Sequence, residues 1–287
     1  MLDERLRPTV PYDWSWSLHP SVIIGTGLLG ALYFYGIGPY RRRHGLPPAS
    51  GGQIFAFSAA LVVLLLALNG PVHDLSDYYL FSMHMVQHLV LTLVFPPLLL
   101  AGIPRWLLRP VLGSPGVLSI ARILTRPPVA AALFSISIAV WHLGLFYDLM
   151  MRSHEVHIGT HLLFMATATL MWWPVMGPAP ELPRLSTGPA MLYLFLVGIP
   201  MQIVAALITF ADEVLYPWYV PAPRMWGLSP LDDQQLGGLL MWVPGNLYIF
   251  AAIGLLFFRW AKEEEEGEGG KAEMRSSDSI VISQAEE

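Results

Sequence analysis

The sequence predicts an all-α integral membrane protein, a bundle of about seven transmembrane helices with its N-terminus outside and its C-terminus in the cytoplasm. Only 13% of the 287 residues are charged, roughly half the share of a typical soluble domain. Apolar runs recur along the chain at about the 20 residues that a helix needs to cross a bilayer. Lys and Arg residues are concentrated in alternate connections between these runs, a pattern typical of multi-pass membrane proteins.

Each apolar run is expected to form a helix, because lipid offers backbone polar groups no partner outside their own segment. The predicted spans, in chain order, are Ser21–Gly38, Gln53–Gly70, Leu80–Gly102, Pro128–Tyr147, Val156–Met176, Pro189–Phe210 and Leu236–Trp260. The connections are rich in proline, glycine and charge, which favour breaks. Prolines inside the spans, Pro96 and Pro97 among them, predict kinks where neighbouring helices take up the freed carbonyl groups.

The positive charges predict the orientation of the bundle. All but four of the 16 Lys and Arg residues follow the first, third, fifth or seventh span, the exceptions being Arg5, Arg7, Arg152 and Arg224. The positive-inside rule places the segments that follow the first, third, fifth and seventh spans in the cytoplasm. We therefore expect an outer N-terminal segment over residues 1–20 and a transmembrane domain over 21–260. Residues 261–287 form a predicted disordered acidic cytoplasmic tail, because they carry too little apolar surface to fold.

The composition excludes several classes of function. The chain has no cysteine, so disulfides, thiolate metal sites and cysteine nucleophiles are excluded. It shows no basic stripe with interleaved aromatic residues, so nucleic acid is not an expected partner.

The histidines are the informative polar residues. All but one of the nine lie toward the predicted outer face. His84 and His88 in the third span, and His157 and His161 in the fifth, form two H-x-x-x-H pairs, and His142 lies near the outer end of the fourth. Because residues four apart share one face of a helix, each pair can present two imidazoles to one point.

Helical spacing extends both pairs toward the outer surface. If the third helix continues upstream, Asp77, His84 and His88 fall within a stripe of about 40°. His154 falls within about 60° of the second pair by the same arithmetic. The third and fifth spans run in the same direction, so the two stripes would lie at similar depth.

We interpret these residues as a metal or cofactor site, because polar side chains inside a span are costly unless they pair or bind something. The structural alternative is that a histidine pair only hydrogen-bonds a neighbouring helix, which contributes about 0.6 kcal/mol on average. The candidate metal ligands are His84, His88, His142, His157 and His161, with Asp77, His73 and His154 as outer ligands or as residues that orient the ligands.

The remaining polar and aromatic residues of the outer level have simpler expected roles. Asp74, Asp212 and Glu213 are expected to be solvated loop carboxylates. The tryptophans, Trp172 and Trp218 among them, are expected mostly to mark the membrane interfaces.

Three segments carry a resemblance to a known family. They are HMVQHLVLTLVFPPLLLAGIP (His84–Pro104), VWHLGLFYDLMMRSHEVHIGTHLLFMATATLMWWPVMGP (Val140–Pro178) and DDQQLGGLLMWVPGNLYIF (Asp232–Phe250). Together they resemble the polytopic, cysteine-free CtaG family of cytochrome c oxidase assembly factors. The resemblance extends over roughly residues 74–259 and is more general in the first two spans. The family's characteristic positions match His84, His88, His142, His157 and His161, with Trp242 in the last span.

The resemblance implies a multi-pass protein of the bacterial cell (inner) membrane that helps to mature the copper-containing part of a heme–copper oxidase. Its implied partners are heme–copper oxidase subunits, the lipid bilayer and a soluble copper chaperone. The metal implied is copper, expected as Cu(I), with zinc as the alternative because imidazole ligands suit both. The mechanism we hypothesise is that the histidines hold copper and release it to an apo-oxidase subunit, without catalysis.

Three other functions fit the same residues. An intramembrane hydrolase would use three histidines to hold a zinc ion that activates water. A heme-b protein would use His88 and His161 as axial ligands. A copper transporter would use similar ligands along a path through the membrane.

Overall fold

A computed structural model describes residues 12–14 and 16–285 of the protein, with side chains described as far as Glu265. All regular secondary structure among these residues is helical, which confirms the predicted all-α class. The longer helices are α1 (Pro20–Tyr35), α2 (Gly51–Ala67), α3 (Gly70–Tyr78), α4 (Phe81–Gly102), α5 (Pro115–Leu124), α6 (Pro127–Trp141), α7 (Gly144–Arg152), α8 (His154–Met176), α9 (Thr187–Thr209) and α10 (Pro230–Ala285). Helix α1 continues through a π-helical turn as far as Arg43.

Several helices are long and apolar enough to cross a membrane. Within the described chain there are 4 of them: Pro20–Arg43, α4, α9 and the Pro230–Glu265 part of α10. The α2–α3 and α5–α6 pairs bend by 45° and 68° at short breaks, and each pair adds a candidate if it is one broken span. Every predicted span overlaps a helix, but the number of seven crossings and the orientation stay predictions.

The last helix continues through the segment for which the composition predicts disorder. Its side chains beyond Glu265 lie outside the described residues, and the disorder of the tail stays a prediction. Residues 1–11 of the predicted outer segment also lie outside the described residues.

Helix α4 begins at Phe81, so Asp77 does not lie on the same helix as His84 and His88. The predicted stripe along one continuous helix is therefore wrong. The Asp233 carboxylate on α10 accepts hydrogen bonds from the backbone N–H groups of Phe81 (2.7 Å) and Ser82 (3.2 Å) and from the Ser82 hydroxyl (2.5 Å). A helix start leaves such N–H groups without intrahelical partners, and a side chain from a distant helix satisfies them here. Asp77 belongs to α3, and the tertiary fold, not helical spacing, brings it close to the histidines.

Helix α4 is widened locally just before its two prolines, and the kink that the sequence predicts there stays a prediction. Residues Val90–Val94 form a π-helical turn directly before Pro96 and Pro97. Because Pro96 has no N–H, the carbonyl of Thr92 loses its helical partner, and the Trp172 indole of α8 donates to that carbonyl at 3.1 Å. Trp172 is therefore buried between helices, and its indole pairs with a neighbouring helix.

The predicted span Pro128–Tyr147 is interrupted. Helix α6 ends at Trp141, and the Nδ1 atom of His142 lies 2.7 Å from the carbonyl oxygen of Ile138. Leu143 is extended, and α7 starts at Gly144 in a new direction. The Ile138 carbonyl oxygen thus accepts from the backbone N–H of His142 at 3.2 Å and also contacts its side chain.

Helices α9 and α10 pack closely because glycines of α10 face their neighbours. A Cβ atom on Gly238 would lie 2.5 Å from Thr209 Oγ1 and 3.0 Å from the carbonyl oxygen of Ala205. Small residues permit this kind of backbone approach between membrane helices. The contact positions the start of α10, and with it Asp233.

We expect Gly238→Ala to destabilise the protein by about 1–3 kcal/mol, the usual cost of an overpacked interior. The matched control is Gly254→Ala in the same helix, where no described atom lies within 4 Å of an added Cβ. The control should be neutral or stabilising, since alanine favours helix over glycine by about 1 kcal/mol. The measurement is the thermal unfolding midpoint in detergent, and equal midpoints for the two variants would contradict this packing.

Candidate metal centre

Five histidines meet in the interior of the bundle. They are His84 and His88 of α4, His142 at the end of α6, and His157 and His161 of α8, and all are buried. The ring centroids of His84 and His88 are 4.2 Å apart, those of His157 and His161 are 4.5 Å apart, and those of His88 and His142 are 5.5 Å apart. The fold therefore brings together the five ligands that the sequence predicts.

Ligand atoms in this cluster form two overlapping groups of three among the described residues. The inner triad is His84, His88 and His161, and the outer triad is Asp77, His84 and His157. Within each triad the ligand atoms lie within 4.8 Å of one another. The two triads share His84.

The closest contact in the inner triad joins two imidazole nitrogens. His84 Nε2 lies 2.7 Å from His88 Nε2. Two nitrogen lone pairs repel at this distance, so one of the two nitrogens carries a proton and donates it to the other. If that proton moves to the Nδ1 atom of the same ring, both Nε2 lone pairs are free to bind one cation.

Several nitrogens of the cluster are buried without a hydrogen-bond partner in the described part of the chain. They are His88 Nδ1, His142 Nε2, His157 Nε2 and His161 Nε2. Buried polar atoms are normally paired, and each exception calls for an explanation. Four in one cluster fit a metal site, because an imidazole nitrogen without a proton donates its lone pair to a metal.

Two of these imidazoles are held in the tautomer that a metal ligand needs. His142 Nδ1 lies 2.7 Å from the Ile138 carbonyl oxygen, so it carries the proton and leaves the Nε2 lone pair free. His157 Nδ1 lies 3.6 Å from Asp77 Oδ2, which favours the same tautomer. Carbonyl and carboxylate partners of this kind orient ligand imidazoles in known metal sites.

His73 is held in a different way. Gln87 Nε2 donates to the Ala67 carbonyl oxygen at 2.7 Å and lies 3.0 Å from His73 Nδ1. His73 Nδ1 is therefore an acceptor, and the proton on Nε2 faces Asp77 Oδ2 at 3.5 Å. This arrangement orients Asp77 and leaves neither nitrogen of His73 free for a metal.

The outer histidines lie near the surface. His154 is exposed at the start of α8, outside both triads. His19, just before α1, packs its ring against His73 with centroids 4.3 Å apart, and its Nε2 lies 3.9 Å from Asp74 Oδ1.

Asp74 is not the solvated loop carboxylate that the sequence predicts. It is buried on α3 and accepts hydrogen bonds from the Tyr12 hydroxyl at 3.0 Å and the Ser17 hydroxyl at 2.5 Å. These bonds tie the segment before α1 to α3. Asp212 and Glu213, by contrast, are exposed as expected.

The loop between α9 and α10 encloses the centre with aromatic side chains that sequence reasoning missed. The Trp218 indole donates to the Asp77 carbonyl oxygen at 2.7 Å, and the Tyr219 hydroxyl donates to that of Ser76 at 2.6 Å. The Tyr216 hydroxyl donates to the His142 carbonyl oxygen at 2.8 Å. Trp218 is thus buried against α3, and only the aromatic richness of this loop signals its role.

The geometry of the inner triad suits a small soft cation. Metal–nitrogen bonds of about 2.0 Å place tetrahedral ligand nitrogens about 3.3 Å apart, so shifts of about 1 Å from the observed spacing complete a three-imidazole site. Imidazole ligands suit copper and zinc. An octahedral oxygen-ligand ion such as magnesium does not fit this donor set.

Comparison with known proteins points to one family. Residues 31–263 match a family model described as Cytochrome c oxidase caa3 assembly factor (Caa3_CtaG). Uncharacterized proteins of Mycobacterium bovis and Mycobacterium tuberculosis are each 26% identical to the chain over 262 residues, which cover 85% of this chain and 39% of each relative. A protein of Mycobacterium leprae is 24% identical over 259 residues, covering 83% and 38%. The chain thus spans about two fifths of the length of these curated relatives. No solved structure matches significantly.

We expect Asp233→Ala to destabilise the protein and to weaken metal binding, because Asp233 pairs with the start of the helix that carries His84 and His88. Leaving such buried N–H groups unpaired costs about 1–3 kcal/mol. The control is Asp212→Ala, which removes an exposed carboxylate. The unfolding midpoint and the metal dissociation constant are measured for both variants. If Asp233→Ala matches Asp212→Ala in both, the positioning role is wrong.

Proposed function

The chain belongs to the cytochrome c oxidase caa3 assembly factor family, and from that premise we propose that it binds Cu(I) in its inner triad and delivers it to a heme–copper oxidase subunit. Copper is the cargo of this process and not a resident catalytic cofactor. The protein acts in the bacterial inner membrane as a multi-pass chaperone for the metal.

One observation carries the proposal: His84 Nε2 and His88 Nε2 lie 2.7 Å apart in the buried interior, next to His161. Four further nitrogens of the cluster lack a hydrogen-bond partner among the described residues. Cu(I) is a soft ion that accepts few ligands, and a site without cysteine must bind it through imidazole or thioether groups. Release then requires only ligand exchange, with no redox step and no nucleotide.

The predicted orientation supports delivery on the outer side of the membrane. The cluster lies near the starts of α4 and α8 and near the end of α6, and the arginine-rich connections adjoin the opposite ends of these helices. The same end carries the exposed His154, while His44 is at the opposite end, after α1.

A zinc hydrolase remains the second candidate, because the outer triad combines a carboxylate with two imidazoles. A cavity of about 730 Å³ adjoins it, and that cavity is lined largely by aliphatic side chains and is large enough for a lipid chain. A catalytic zinc site needs such ligands and an open position for water. Zinc retained through purification, together with amide or ester hydrolysis lost in Asp77→Asn, would favour this candidate over copper delivery.

A heme-b function fits the geometry poorly. Axial ligation would require the porphyrin to lie between His88 and His161, but His84 Nε2 occupies the space 2.7 Å from His88 Nε2. The Phe164 ring also packs edge-on against His88, with centroids 4.8 Å apart.

We expect His88→Ala with His161→Ala to bind Cu(I) much more weakly, since two of three inner ligands are removed and only the outer triad with its carboxylate remains. The control is His44→Ala, an exposed histidine whose Nδ1 lies 2.9 Å from the Tyr40 carbonyl oxygen. The measurement is Cu(I) bound per protein in competition with a coloured chelator. His88→Gln keeps a polar side chain in place, so weaker copper binding in this variant would reflect the lost ligand and not misfolding. Full binding by the double variant would contradict the proposal.

The cellular test is deletion of the gene followed by measurement of oxidase activity and oxidase copper content. Both should fall, and wild type should restore them while His84→Ala with His88→Ala should not. Normal oxidase copper after deletion would rule out the delivery role. Rescue by the double variant would instead remove these histidines from the mechanism.

A further inference from the structure

The aliphatic cavity reaches only one side of the metal centre. Its outer end is lined by side chains that can bind a metal ion, among them His19, His154, Asp77, His157 and His161. The other three histidines of the cluster, His84, His88 and His142, do not line it. The outer triad therefore reaches the cavity through Asp77 and His157, whereas the inner triad reaches it through His161 alone.

We propose that the outer end of this cavity admits the metal ion, that the outer triad binds it first, and that His84 passes it to the inner triad. This rests on the proposed function, because it specifies how the same centre is loaded. His19 and His154 lie at the mouth of the route, and Asp77 lies at its inner end.

Asp77 is suited to first capture, because it is the one carboxylate among the ligand groups found in the described residues. Its Oδ2 atom is contacted by His73 Nε2 at 3.5 Å and His157 Nδ1 at 3.6 Å. A carboxylate in a cleft with low-dielectric walls attracts cations and raises their rate of association. The three imidazoles of the inner triad have no comparable charge.

The preference of the ion sets the direction of transfer. Soft imidazole ligands bind Cu(I) better than a carboxylate does, so the inner triad is the more stable position. Both triads share His84, so one metal–nitrogen bond can persist while Asp77 and His157 leave and His88 and His161 replace them. The ion is never released inside the bundle, and the exchange involves no change of oxidation state.

The first test measures the rate at which the purified full chain takes Cu(I) from its bicinchoninate complex, followed by stopped-flow absorbance. Asp77→Asn should slow loading by at least about tenfold, the lower end of electrostatic effects on association, with the final copper per protein unchanged. The matched control is Asp212→Asn, which removes an exposed carboxylate that does not line the cavity. It should load at the wild-type rate.

The second test blocks the route without touching a ligand. Gly25 of α1 lines the cavity, and no described atom lies within 4 Å of a Cβ added there. Gly25→Leu should therefore place a larger side chain in the cavity and slow loading. Gly27→Leu is the matched control, because Gly27 has the same open surroundings and does not line the cavity.

The outcomes separate this inference from the proposed function. If the wild type takes up no Cu(I), both are overturned. If it takes up Cu(I), and Asp77→Asn and Gly25→Leu both load at the wild-type rate, the route is overturned and the inner site stands. If Asp77→Asn loses bound copper at equilibrium, Asp77 is a permanent ligand and the two-step loading is overturned. Slower loading in both variants, with full final copper and normal controls, supports the route.

Discussion

The buried carboxylate of Asp233 is the interaction on which the rest of the centre depends. It joins the start of α10 to the start of α4 by accepting three hydrogen bonds from Phe81 and Ser82. In a bundle that offers few polar partners, an unpaired helix start is costly, so this contact determines where α4 begins. The depth of His84 and His88 follows, because both lie within the first turns of that helix.

The same requirement for paired polar groups explains the surroundings of the histidines. The Trp172 indole donates to the Thr92 carbonyl, which Pro96 leaves without a helical partner. Aromatic side chains of the loop before α10 donate to the carbonyls of Ser76 and Asp77. Around the centre the described polar groups are largely satisfied. The imidazole nitrogens that lack partners are therefore exceptions within a well-paired region, and a metal ion is the ligand that would pair them.

The two triads share His84 but differ in ligand chemistry, so the two ends of the centre are not equivalent. The outer triad contains a carboxylate and lines the cavity through Asp77 and His157, whereas the inner triad contains only imidazoles and lines it through His161. A resident catalytic zinc site would not need a second, softer set of ligands behind the first. A cargo site does, because capture and retention call for different ligand chemistry. This asymmetry is consistent with a protein that loads and releases a soft metal.

The sequence alone determined the helical class, the approximate helices and the pairing of His84 with His88 and of His157 with His161, because helical periodicity and apolar length are local properties of the chain. It could not determine how Asp77 reaches the cluster. That depends on the break before Phe81, which a carboxylate distant in sequence stabilises. The two triads, their shared histidine and the adjoining cavity were decided only by the tertiary structure, since they arise where α3, α4 and α8 meet. Helical spacing specifies which residues share a face, and packing specifies which faces meet.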